Sequence, residues 1–248
     1  MALAAPRDSD VFSRPGWWDD GDRTYASLRA VNELRLEILG DWMRRWFGAE
    51  GPRRVVDLGC GGGLMALPLA QAGARVVAVD RNLDALRAGH DHQRALRRRG
   101  VEFVRGDLCA APLPDGSADL VLLNDVVEHL EEPAAALHTA ARLLRPGGRL
   151  FVNTINRTLR ARVLAIWLGE GLGMIPRGTH RARLFVRPQE LARKARAAGL
   201  VATDWSGERP LLLPSLRARA VRVGRGRSLA VGYCAGFRRL PDSSTETS

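Results

Sequence analysis

Val55-Val56-Asp57-Leu58-Gly59-Cys60-Gly61-Gly62-Gly63 is an apolar strand that runs straight into a glycine-rich turn. Glycine at 59, 61 and 63 lets the backbone take positive φ and lets a ligand approach with no Cβ in the way. The next segment, Leu64 to Ala72, reads as a helix, so its free N–H groups face the same crevice. Strand, glycine turn and helix in this order predict a nucleotide-type site at the carboxyl end of a first strand.

The pattern is not that of a dinucleotide. That pattern wants a third glycine where Leu64 stands. Asp57, just before the turn, would repel a pyrophosphate and suits a ligand that carries positive charge. The second strand, Arg75 to Asp80, ends in an acid able to accept from both ribose hydroxyls. After the third strand, Val101 to Arg105, comes Gly106-Asp107-Leu108, able to hold an adenine edge. Asp57, Gly59, Gly61, Asp80 and Asp107 are therefore the first cofactor-site candidates. This ordered set, with Leu143-Leu144-Arg145-Pro146-Gly147-Gly148 before a later strand, resembles the class I S-adenosylmethionine-dependent methyltransferases. The resemblance implies an α/β, Rossmann-like fold: a mostly parallel seven-stranded sheet, helices on both faces, the last strand inserted antiparallel. It also implies S-adenosyl-L-methionine as the cofactor.

The rest of the chain keeps the same rhythm. Strands are predicted at 53–58, 75–80, 101–105, 118–123 and 148–153, with helices near 64–72, 82–99 and 133–144. Alternation of this kind, with nearly continuous apolar strands, predicts a parallel sheet covered on both sides. A helix at 25–47 precedes the sheet, Pro188 opens another, and strands near 200–205 and 228–237 complete the order. One domain over 15–240 is expected, with an insertion at about 158–186 and polar, mobile ends at 1–14 and 241–248.

The net charge of +11 invites a nucleic-acid or anionic-membrane partner. Lys194 is the only lysine, so almost all of the 38 basic residues are arginine, scattered or on apparent helix faces. No basic surface interleaved with aromatics is recognisable, which argues against nucleic acid. Cys60, Cys109 and Cys234 are too few and too far apart for a disulfide framework or a metal-ligand pair. With no leader pattern and no apolar run long enough to span a bilayer, the expectation is a cytoplasmic protein, peripheral to the membrane at most. Oligomeric state is not legible.

The fourth strand ends in Asn124-Asp125-Val126-Val127-Glu128-His129, at the crevice a methyl acceptor must occupy. If a helical turn follows Asn124, Asp125 and Glu128 share a face by their i, i+3 spacing. Asp125, Glu128 and His129 are then the catalytic candidates and, equally, candidate ligands of a divalent ion. Alternatively, His129 acts alone as a base, since its pKa lies near neutral.

Asp125-x-x-Glu128-His129, Asn153-Thr154-Ile155-Asn156-Arg157 and Pro176-Arg177-Gly178-Thr179-His180 resemble the ubiquinone-biosynthesis O-methyltransferases. Trp17-Trp18-Asp19, Asn32-x-Leu34-Arg35, Phe185 and Pro188-x-Glu190-Leu191 are similar to the same family. The resemblance implies methylation of a polyprenylated catechol or hydroquinone, a lipophilic phenolic small molecule. Carried over by position, Arg35, Gly59, Asp80 and Asn124 contact the cofactor, with Arg35 on its carboxylate. Asp125, Glu128 and His129 then hold a divalent cation, Mg2+ being the expected one. The family's usual first acid is glutamate, and Asp125 is one methylene shorter. Trp17 and Trp18 either cap the acceptor pocket or staple the N-terminal helix to the domain. His180 either reaches the site or hydrogen-bonds a loop.

Arg160 and Arg162 precede an apolar run, Val163-Leu164-Ala165-Ile166-Trp167-Leu168, followed by Gly169, Gly171 and Gly173. Too short to span a bilayer, it reads as an interfacial lid with Trp167 at the headgroups, or as a helix buried on the sheet edge. Arg29 and Glu33 depart from the family's pattern, and so do Gly207-Glu208-Arg209-Pro210 and the arginine-rich run Arg217 to Arg227. Two other readings stay open: a methyltransferase for another small acceptor, or a non-catalytic cofactor- or lipid-binding component.

Overall fold

The computed structural model describes residues 16–22, 24–176 and 178–241. The N-terminal segment 1–14, the tail beyond Pro241 and Arg177, all named above, lie outside the described residues. Eight strands follow in chain order: β1 (Arg54–Leu58), β2 (Arg75–Asp80), β3 (Val101–Arg105), β4 (Ala118–Asn124), β5 (Leu144–Ile155), β6 (Leu200–Pro210), β7 (Val223–Gly226) and β8 (Gly232–Arg239). They form one sheet in the order β3-β2-β1-β4-β5-β8-β6-β7. Strands β1 to β5 pair parallel, while β8 lies antiparallel between β5 and β6. The order reverses between β1 and β4, and ligands of open α/β sheets bind outside the carboxyl ends at such a point.

The sheet has eight strands where seven were expected. The extra one, β7, lies within the arginine-rich run and pairs antiparallel with the end of β6, Gly207 against Gly226. Glycine allows that approach: a Cβ on Gly207 would stand 1.9 Å from the Ser228 carbonyl oxygen. Composition hid this strand, because arginine and glycine are poor strand signals.

Helices cover both faces: α1 (Ala26–Phe47), α2 (Ala66–Gln71), α3 (Leu83–Ala95), α4 (Pro133–Leu143), α5 (Leu159–Arg162), α6 (Pro188–Ala197) and α7 (Leu212–Ala218). Period-two alternation divides the strand side chains between them. Val55, Leu120, Leu122 and Phe151 face Ile38, Leu39 and Trp42 of α1 and Leu67 and Leu69 of α2. Val56, Val121, Leu123, Leu150 and Val152 face Ala136, Leu137 and Ala140 of α4 and Leu191 and Ala195 of α6. Each fully buried large side chain contributes about 1.5–3 kcal/mol by leaving water. Asn82 starts α3 by accepting from the Asp84 and Ala85 amides. The same helix ends at Ala95 rather than near 99, because Arg97 turns left-handed at φ 51° and closes it.

Candidate active site

The glycine turn is tied down from both sides. Gly59 and Cys60 amides both donate to the Val79 carbonyl, at 2.8 and 3.1 Å. Gly59 and Gly61 take positive φ, 78° and 52°. A Cβ on Gly59 would stand 2.6 Å from Val126 Cγ2, and one on Gly61 would stand 2.4 Å from the Trp17 ring. The ring of Trp17 thus lies against the turn, buried and stacked on Tyr25 at 4.3 Å. Trp18 Nε1 donates to the Gly62 carbonyl at 2.8 Å, and its ring stacks on His92 at 4.1 Å. Of the two roles left open for the pair, stapling describes Trp18; Trp17 staples as well and also lines the cavity.

That cavity, about 380 Å³, sits at the carboxyl ends of β1 and β4. It brings together all the predicted site residues: Arg35, Asp57, Gly59, Gly61, Asp80, Asp107, Asn124, Asp125, Glu128 and His129. Asp80 accepts from the Gly61 amide at 2.8 Å through Oδ2 and from the Asn82 amide at 2.8 Å through Oδ1. Asp107 Oδ1 accepts from the Cys109 amide at 2.8 Å. Asp57 is buried, and its Oδ2 has no hydrogen-bond partner among the described residues. Burial, with the neighbouring Asp80 charge, pushes its carboxyl up to about 7. Asn124 Oδ1 is likewise buried and unpartnered. Asp57 and Asn124 both line the cavity, where a bound ligand can supply the missing donor, and the ammonium of an amino-acid-like cofactor is such a donor.

The acceptor end departs from expectation. Asp125 takes φ 53°, and the helical turn that follows covers only Val127–His129. The i, i+3 face presumed for Asp125 and Glu128 therefore does not form. Asp125 Oδ2 is instead bonded to Arg35 Nη1 and accepts from Asn124 Nδ2 at 3.3 Å. Glu128 is buried and accepts from Thr154 Oγ1 at 2.8 Å. Burial, with the Asp125 charge nearby, pushes the Glu128 carboxyl up to about 8. Among the described residues no three His, Cys, Asp or Glu side chains stand close enough to hold a metal ion. The donor set explains why: one carboxylate is neutralised by a guanidinium, the other favours its proton. The expected cation does not fit Asp125, Glu128 and His129 as they stand.

Arg35 is buried and fully engaged. Its Nε donates to Glu208 Oε1 at 2.8 Å, and Nη1 reaches Asn32 Oδ1 at 3.2 Å besides Asp125. Burial alone would lower the guanidinium; Asp125 and Glu208 outweigh it and raise the pKa. A cofactor carboxylate would have to share Arg35 with Asp125. Glu208 also accepts from Asn153 Nδ2 at 2.7 Å.

Glu208 escaped notice in the sequence because it lies 173 residues from Arg35, in a stretch that departs from the family pattern. Thr154 and Asn153 were legible only as parts of a motif. That motif is explained by contacts: Asn153 holds Glu208, Thr154 holds Glu128, and Asn156 Nδ2 donates to Leu229 O at 2.7 Å. Arg157 ties the insertion's end through Phe185 O at 2.6 Å and Glu190 at 2.8 Å.

The methyltransferase-domain family matches residues 56–152. A ubiquinone biosynthesis O-methyltransferase of Cupriavidus pinatubonensis is 35% identical, over 96% of this chain and 92% of the relative. One of Ralstonia nicotianae is 39% identical, over 80% of this chain and 82% of the relative. The fold is shared with a possible histamine N-methyltransferase of Thermotoga maritima, with TM-score 0.65 at 20% identity over 94% of this chain and 100% of that one. Magnesium protoporphyrin IX methyltransferase of Synechocystis, solved with bound SAH, gives TM-score 0.63 at 21% identity over 90% of both chains. The glycine turn, its acids and similarity spanning nearly the whole chain lead to one conclusion: the protein belongs to the ubiquinone biosynthesis O-methyltransferases, S-adenosylmethionine-dependent enzymes of Rossmann-like fold.

Proposed function

We propose that the protein methylates a phenolic hydroxyl of a prenylated catechol or hydroquinone. The observation that carries this reading is one cavity shared by the glycine turn and His129. Asp57 and Asn124, each with an oxygen unpartnered among the described residues, line it together with the glycine turn, His129 and the apolar side chains of α7 and the insertion. S-adenosylmethionine, when bound, supplies an electrophilic sulfonium methyl.

The chain's own residues do the rest. The turn at Gly59 and Gly61 lines the cofactor's place, Asp80 receives its ribose, Asp107 its adenine edge, and Asp57 its positive charge. A phenol titrates near pH 10 by analogy with tyrosine, so a base must take its proton at neutral pH. His129 is the group assigned that task. Orientation of the phenolate toward the methyl is the larger contribution. No step is assigned to a divalent ion.

The mouth supports a lipophilic acceptor taken from a membrane surface. Leu212 and Ser215 of α7 and Leu164, Ala165 and Ile175 of the insertion line the cavity. The same two elements expose Leu213 (68%), Leu216 (54%) and Leu159 (75%) to solvent. Arg160 and Arg162 share the short helix with Leu159. The side chain of Trp167, expected at the headgroups, lies outside the described residues. No helix among the described residues is long and apolar enough to cross a membrane.

The test is transfer of a labelled methyl group from S-adenosylmethionine to a panel of acceptors. The expected product is the methyl ether of a short-prenyl catechol, with amines and carboxylates inert. Transfer to an amine or carboxylate, or cofactor binding with no transfer to any phenol, contradicts the proposal.

A further inference from the structure

The insertion between β5 and α6 holds a carboxylate that its apolar sequence does not announce. Glu170 ends a π-helix, Val163–Glu170, and is only 6% exposed. π-Helical segments in proteins frequently mark functional sites. Three donors converge on Glu170: the Gly178 amide at 2.7 Å, the His180 amide at 2.9 Å and His180 Nδ1 at 3.1 Å. Burial alone would raise the Glu170 carboxyl; the His180 ring and the two amides outweigh it and hold it below the usual range. An ionised carboxylate only accepts, so Nδ1 donates, and in the neutral ring Nε2 is the acceptor. A carboxylate that fixes the tautomer and tilt of an imidazole recurs wherever a histidine must act on a ligand.

The imidazole is fixed by packing as well. Phe185 meets it edge-on at 6.0 Å, and the His129 ring lies nearly parallel to it, 24° between planes, at 6.2 Å. His129 and His180 both line the cavity. Two imidazoles side by side match an acceptor with two neighbouring hydroxyls: one reacts, the other is held.

We propose that His180, positioned by Glu170, accepts a hydrogen bond from the second, unreactive hydroxyl of an ortho-dihydroxy acceptor and so selects catechols over simple phenols. The inference rests on the phenol reading above and adds the residue that reads the substitution pattern. A site built to bond a hydroxyl rejects the analogue that lacks it, because its own polar group is left unpaired.

The test compares kcat/KM for a short-prenyl catechol with that for the matching monophenol. Wild type is expected to favour the catechol about tenfold or more. His180→Phe keeps a planar ring but no acceptor, and should bring the catechol down toward the monophenol. His180→Gln restores an oxygen acceptor and should recover part of the ratio. Glu170→Gln should lower it by freeing the tautomer. A ratio near one in wild type overturns the proposal, and so does an equal loss on both acceptors in His180→Phe, since a purely structural histidine would give that. Wild type that methylates neither phenol removes the phenol reading itself, and this inference with it.

Discussion

Asp57 and Glu128 are carboxylic acids buried where their charge is unfavourable. Both titrate well above the range near 4 expected of an unfolded chain, at about 7 and about 8. At these two sites the folded protein therefore binds more protons than the unfolded chain from about pH 4 to 8. The sign follows: this contribution to stability is complete below the unfolded pKa and is lost as pH rises through the folded one. Denaturant titrations of the ligand-free protein should show stability falling from about pH 5 to 8, and Glu128→Gln should flatten the fall. A cationic cofactor favours ionised Asp57, so its affinity should rise with pH up to about 7, by as much as tenfold per pH unit. Calorimetry on Asp57→Asn should find weaker binding with that pH dependence removed; an unchanged profile would put the cofactor's charge elsewhere. Asp57 could be read from sequence as a cation's partner because the turn beside it is local. The left-handed Asp125 could not: aspartate tolerates that conformation without requiring it, and Arg35, which holds it, comes 90 residues earlier.

Elements distant in sequence build the floor and roof of the site. Helix α1 brings Arg35, β6 brings Glu208 and β5 brings Asn153 into one buried network. Glu208→Ala leaves Arg35 short of a partner in the interior, and equilibrium unfolding should show a loss of about 3–5 kcal/mol. Replacement with less than about 1 kcal/mol of loss would mean that water or Asp125 fully compensates. At the other edge, Trp17→Ala removes the ring that lies on the glycine turn. Expected are a cost of about 3–5 kcal/mol and weaker cofactor binding, both from the same unfolding and binding curves. Parallel strands and their helices were legible because each carries its own period. β7 and the tether of Glu170 were not: one has glycine and arginine at three of its four positions, the other is a lone acid in an apolar run. Contacts that join segments far apart leave no trace in local pattern.

Across the whole molecule, a positive net charge accompanies leucines exposed on α7 and at the start of the insertion. The net charge is +11, and the proposed contact with a membrane would gain from both anionic lipid and apolar insertion. Sedimentation with vesicles should show binding to phosphatidylglycerol-rich membranes that weakens as salt is raised. Leu213→Asp together with Leu216→Asp should reduce it without altering methylation of a soluble catechol. Binding indifferent to both salt and the leucines would separate the mouth from the membrane. The proposed chemistry joins a cofactor turn and an imidazole base on one cavity, and the most direct check follows both halves at once. Transfer of labelled methyl to a short-prenyl catechol, measured beside cofactor affinity in wild type and His129→Ala, should show transfer reduced by about 10²–10⁴ with affinity nearly unchanged. Equal transfer by the two proteins, or no transfer by wild type while the cofactor binds, would contradict the account.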